Sequence, residues 1–317
     1  MRAARNSALP DRCATLRNNV LASIGRPILR PSGGRGSRRS LRASPITAAS
    51  DGDLGAVLRL GDDRSRRPRP IASSLRNAHL GRNAHLGTAL TERVLYRDGL
   101  MLVIDKPAGI PVHAGPGGGP NLEAGFDALR FGLPYPPALA HRLDRDTSGC
   151  LVLGRHPKAL RRLAALFAAG RVEKVYWAVV EGRPPDEEGR IETGLKKLAR
   201  GSGWRMVVDA AGQPAITEYR VLAVGGGRAW LELRPRTGRT HQIRVHCAAL
   251  GAPIVGDPVY GQGGDRLLLH ARAIAVPLYP ARPPVGVVAP PPPHLVAALA
   301  RFGYDPQRET TEETSGP

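Results

Sequence analysis

The stretch from Thr217 to Leu233 reads TEYRVLAVGGGRAWLEL. It contains two alternating runs, Thr217–Val224 and Ala229–Leu233, joined by Gly225, Gly226 and Gly227. A period of two puts every second side chain on one face, as in a half-buried strand, and a glycine run supplies the turn of a hairpin. Neighbouring segments repeat the theme. Val175–Val180 alternates, Val94–Tyr96 and Met101–Asp105 flank an Arg97-Asp98-Gly99 turn, and Leu151–Leu153 reads as a short buried strand. Leu267–His270 and Ala273–Val276 read as a further strand pair. Helices are fewer. Lys158–Ala169 places Leu160, Leu163, Leu166 and Phe167 on one face before Gly170. A second helix is expected from a Thr240 cap to Leu250, and a last one over His294–Phe302. Hairpins in this number predict an α+β fold with a mainly antiparallel sheet, not an alternating doubly wound one.

The chain has 317 residues, of which 42% are hydrophobic and only 4% aromatic, so the core must come from Val, Leu, Ile and Ala. Its formal net charge is +19. Residues 1–87 hold 17 Arg, no Lys and 5 Asp, and the first lysine is Lys106. The basic excess suits either a polyanionic partner or plain solubility. Cys13, Cys150 and Cys247 lie far apart without a CxxC, which points to a reducing compartment and away from structural zinc. No run of 18 apolar residues exists, so no membrane span is expected.

Residues 1–88 lack helical or strand periodicity and are read as a disordered Arg-rich extension, ending in two copies of RNAHLG at 76–81 and 82–87. An organelle targeting segment, an RNA-binding tail and an over-called start all fit it. Residues 89–304 are read as one catalytic domain and 305–317 as a loose tail. The Gly115–Pro120 loop lacks the GK[ST] of a phosphate cradle.

Three clusters carry reactive groups. His141–Gly149 reads HRLDRDTSG; Arg residues on both sides favour an ionised carboxylate at Asp144 or Asp146, as a nucleophile or as part of an ion-paired loop. Arg234–His246 packs four Arg and two His around a turn that enters a helix, suited to phosphates or to holding a carboxylate. In Glu173–Trp177, strand alternation puts Lys174 and Tyr176 on one face, an arrangement fit for stacking on a base or for ordinary packing.

Together, HRLDRDTSG, KVYWAVVEG (174–182) and TGRTHQIRVH (237–246) resemble the RluA-like family of RNA pseudouridine synthases. MLVIDKPAG (101–109), AITEYRV (215–221), GAPIVGDPVYG (251–261) and LLLHA (267–271) resemble it too, so the likeness spans about Thr91 to Ala300. The resemblance implies a bent antiparallel sheet with the active cleft across its middle. It implies isomerisation of specific uridines in ribosomal or transfer RNA by base flipping, with no cofactor and no metal. Position by position it makes Asp144 the nucleophile, Arg142 the residue entering the RNA stack, Tyr176 the aromatic on the flipped base, and Arg244 the partner of the catalytic carboxylate. His141, Lys174, Arg239 and His241 become candidate RNA contacts. A monomer is implied, cytoplasmic in a bacterium, or in a mitochondrion or plastid if the extension is a transit peptide. Family members often carry a small N-terminal S4-type domain, for which residues 1–88 lack the periodicity.

Overall fold

The computed structural model describes residues 86–115, 118–201 and 203–311. Residues 1–85, which hold most of the Arg-rich extension and all of the hexapeptide repeats but their last two residues, lie outside them, as do the last six residues. After a helical turn over 86–91, the elements run β1 (Val94–Arg97), β2 (Met101–Lys106), a 3-10 segment (Leu122–Leu129), β3 (Ala138–Leu139), β4 (Ser148–Gly154), α1 (Pro157–Ala168), β5 (Glu173–Glu181), β6 (Glu188–Arg200), β7 (Gly203–Val208), β8 (Gln213–Gly225), β9 (Arg228–Pro235), α2 (Gln242–Ala249), β10 (Leu269–Val276), β11 (Val285–Val288), α3 (Pro293–Leu299) and α4 (Pro306–Thr311). No helix among the described residues is long and apolar enough to cross a membrane.

The strands form one sheet in the order β1-β2-β4-β10-β5-β9-β8-β6-β7, with β3 also on β4 and β11 on β10. Only β4 with β10 pairs parallel among these strands. This is the α+β, mainly antiparallel architecture that the hairpin pattern predicts. Gly225 pairs with Arg228, so the β8–β9 turn is the two residues Gly226 and Gly227 at φ 58° and 72°. Positive φ at both centres is the turn whose twist matches a right-handed hairpin, and glycine reaches it without steric cost.

Register sorts the side chains into two faces. Tyr176, Leu233 and Tyr219 lie abreast on β5, β9 and β8, while Trp177, Glu232 and Arg220 are abreast on the other face. The first face joins the larger core with Leu143, Ile243, Ile254 and Leu269. The second buries Trp177 and Trp230 under Leu295 and Leu299 of α3 and Tyr304 of the segment before α4.

Two expectations fail here. Leu267–His270 and Ala273–Val276 do not pair with each other; β10 runs through both, with an irregularity between His270 and Ala273, and its hairpin partner is β11. Ala271 and Arg272 between them have no turn chemistry, and Arg272 is buried over the Trp177 ring. Nor is the start of the tail loose. In α4, Glu309 is buried and takes Arg272 Nη2 at 2.7 and 2.8 Å. A polar segment is held there by an ion pair, which leaves no apolar period to read.

Candidate active site

The Asp144 loop, between β3 and β4, is held from below. Lys106 is fully buried and donates Nζ to the carbonyls of Pro107, Arg145 and Thr147 at 2.7, 2.9 and 2.9 Å, occupying all three protons. Burial lowers its pKa to about 8, with the carboxylates of Asp146, Asp144 and Asp105 pulling the other way. Gly109 N–H adds a bond to the Arg145 carbonyl at 2.9 Å. At the loop exit, Gly149 sits at φ 106° so close to β10 that a Cβ would meet the Ala271 carbonyl oxygen at 2.2 Å. The glycine of TSG thus answers a backbone demand.

The TGRTHQ turn is organised by Gln242. Its Oε1 accepts from the Thr237 hydroxyl at 2.7 Å and from Arg239 N–H at 3.0 Å; its Nε2 donates to the Ile216 carbonyl and the Thr217 hydroxyl at 2.9 Å each. The expected Thr240 cap is not used. The helix α2 begins at Gln242 behind His241, which stands in the left-handed region at φ 52° with no side-chain cap. Gln242 has taken over the turn's donors, and the left-handed cost of about 1–2 kcal/mol at His241 is imposed by this network.

Arg244, in the first turn of α2, reaches Asp144 Oδ2 with Nη1 at 3.5 Å. Its tighter partner is Asp257, which takes Nε at 2.7 Å and Nη2 at 2.8 Å. Asp257 Oδ1 also accepts the N–H groups of Val259 and Tyr260 at 2.9 and 3.1 Å. Burial works against the Asp257 carboxylate, yet Arg244 and the two N–H groups outweigh it and hold its pKa below the ordinary value. Burial likewise opposes Arg244, and Asp257 and Asp144 overcome it, so its pKa rises.

His241 completes the ring around Asp144. Its Nε2 lies 3.8 Å from Asp144 Oδ2 and its Nδ1 2.9 Å from Tyr260 Oη, which also accepts Met206 N–H at 2.9 Å. Burial lowers the imidazole pKa against the pull of Asp144, so the ring is neutral at pH 7. Tyr260 Oη accepts the Met206 N–H, and if its own hydrogen goes to Nδ1 the proton of the neutral ring lies on Nε2, facing Asp144.

Tyr176 is 9% exposed and therefore buried. Burial, the Asp144 charge and Cys150 all push its pKa up, so the phenol stays protonated beside Asp144. Two candidate RNA contacts are otherwise engaged. His141 packs on Phe167 and its Nε2 accepts Val152 N–H at 3.0 Å, while Lys174 donates to the Thr237 carbonyl at 3.1 Å. Arg142 and Arg239 are exposed, Arg239 donating to the Pro214 carbonyl at 3.1 Å. Arg145 pairs with Asp146 at 3.1 Å, leaving Asp144 to Arg244 and His241.

Asp257 and Tyr260 lie within GAPIVGDPVYG, a segment to which the sequence assigns no site role, and Trp204, stacked on His241 at 5.1 Å, belongs to no motif. The readable signal was an acid placed between two glycines with an aromatic close behind. Gly256 is indispensable there, since a Cβ would lie 1.9 Å from the Arg266 carbonyl oxygen.

Residues 100–249 match the RNA pseudouridylate synthase family. The chain is 48% identical over 193 residues to an uncharacterized RNA pseudouridine synthase of Zymomonas mobilis, covering 59% of this chain and 88% of that protein. It is 34% identical over 229 residues to the ribosomal large subunit pseudouridine synthase C of Buchnera aphidicola, covering 68% and 72%. The solved structure of human RNA pseudouridylate synthase domain containing 4 superposes with a TM-score of 0.60 at 27% identity, covering 71% of this chain and 98% of that one. On these matches the chain belongs to the RluA-like family of RNA pseudouridine synthases, isomerases that convert uridine in RNA to pseudouridine.

Proposed function

We propose that this enzyme acts on a uridine of ribosomal or transfer RNA with Asp144 as its nucleophile. One observation carries the assignment. Two carboxylates meet Arg244, and the Asp257 side chain is 0% exposed with its oxygens committed to four N–H groups, whereas the Asp144 side chain is 19% exposed. Of the two, Asp144 is the one that a substrate atom can reach.

A paired uridine must first be extruded, at a cost of a few kcal/mol. Arg142, exposed two residues before Asp144, fills the vacated place in the stack. Tyr176 lies against the flipped base. Asp144 attacks the ribose anomeric carbon or the uracil ring, and the C1′–N1 bond breaks. The base turns, C1′–C5 forms, the bond to Asp144 breaks and returns the free carboxylate, C5 loses its proton and N1 gains one. The atoms balance as an isomerisation, so neither an oxidant nor a phosphoryl donor enters. The name of the Buchnera relative favours ribosomal RNA as the substrate.

The test is pseudouridine mapping of total RNA from cells carrying the wild-type enzyme or only Asp144→Asn. Loss of a discrete site is expected and would name the RNA. An unchanged map, with Asp144→Asn still turning over that RNA in vitro, would overturn the nucleophile assignment.

A further inference from the structure

The β6–β7 hairpin holds an aromatic side chain for which the chemistry above has no use. Trp204 is 44% exposed, whereas the other two tryptophans, Trp177 and Trp230, are 0% and 3% exposed. Val208, on the same hairpin face as Trp204, is also exposed, while Leu198 is exposed on the opposite face. Lys197 pairs with Met206 and Ala199 with Trp204, which puts Lys197 and Trp204 on the hairpin face where Leu195 and Met206 pack against Val245. Beyond that packed part, the face runs out over His241. The Trp204 and His241 rings stack at 5.1 Å with 24° between planes, and His241 Nε2 is 3.8 Å from Asp144. Lys197 Nζ rests 4.6 Å from the indole centroid.

A column of planar groups therefore leads from beside Asp144 to solvent, ending on an indole contacted by one exposed ammonium. We propose that Trp204 is a stacking platform for a nucleobase of the single-stranded RNA flanking the target uridine, and that Lys197, displaced from the ring, pairs with that nucleotide's phosphate. The exchange is favourable because base stacking on an aromatic ring is stronger than an exposed cation–π contact, and the displaced cation regains a partner. Every base has a π face, so the platform grips the strand without reading its sequence. The inference rests on RNA being the substrate and deepens that reading.

The probe is a single-stranded oligouridylate titrated into the full chain, with tryptophan emission and the anisotropy of an end-labelled copy followed together. Because Trp177 and Trp230 are buried, quenching reports Trp204. Emission should fall along the anisotropy curve. Trp204→Phe should bind within about threefold of wild type, Trp204→Ala about tenfold more weakly. Lys197→Gln should lower the salt slope of binding by about one. Unchanged emission at saturation, wild-type affinity in Trp204→Ala, or no binding of the oligouridylate would overturn the proposal. The nucleophile assignment fails separately: it is lost if Asp144→Asn turns over, whatever the quenching curve shows.

Discussion

Arg244 faces two carboxylates at once, forking onto Asp257 at 2.7 and 2.8 Å while its remaining nitrogen stands 3.5 Å from Asp144. The fork fixes the guanidinium plane, as bidentate geometry does. The third nitrogen then stabilises the Asp144 charge without clamping the carboxylate that has to move onto substrate. In this arrangement Asp257 is a positioning residue and acts through Arg244.

Asp257→Asn should therefore damage both stability and turnover. It leaves the buried Arg244 charge half-partnered, at a cost of about 3 kcal/mol in denaturant unfolding. Turnover in single-turnover assays should drop about 10–100-fold, since small misplacements at a reacting centre have such effects. RNA affinity should hold. Wild-type turnover in this variant would show that Arg244 does not need the fork.

Tyr176 is held protonated by burial and by Asp144, so it cannot act as a standing phenolate base. It can lie against a base and pass a proton while receiving another. Tyr176→Phe should keep RNA affinity within about threefold and lose roughly 100-fold or more in kcat, the range of acid–base contributions. Full activity would confine Tyr176 to packing.

Stability should fall on the acid side. His246 and His270 are fully buried, and burial lowers their pKa values to about 4 and about 3 from 6.5. Both are neutral in the fold and take up protons on unfolding below pH 6.5. Their contribution is complete above that pH and erodes as pH falls toward the folded values, by up to about 1.4 kcal/mol per pH unit each. Denaturation midpoints from pH 7 to 4.5 should show it. His246→Gln should flatten the slope by about one proton; an unaltered slope would remove His246 from the account.

The catalytic domain should begin at residue 86, slightly before the boundary at 89 expected from sequence. Leu86 packs on the core and Leu90 is 0% exposed within it. Deleting 1–85 should leave Tm nearly unchanged and preserve turnover. Deleting 1–91 empties the Leu90 site at a cost of about 2–5 kcal/mol and should lower Tm by several degrees. Equal Tm values for the two truncations would contradict this.

Local pattern by itself determined much of the molecule. Period-two runs and the Gly226–Gly227 turn specify a hairpin because side-chain alternation and positive φ are short-range properties. The Leu160, Leu163, Leu166 and Phe167 stripe specifies α1 for the same reason. The motifs around Asp144, Tyr176 and Arg244 were legible as well, each inside its own segment. Strands β6 and β7 were not, because Ile191 and Leu195 stand four apart as they would on a helix, with charged residues between and after them. Tertiary structure alone brought Asp257 to Arg244, Tyr260 to His241 and Trp204 onto the same ring. It also turned His141 and Lys174 inward to backbone partners. These pairings join segments with no shared periodicity, and each is decided by which buried charge or donor the fold has left to satisfy.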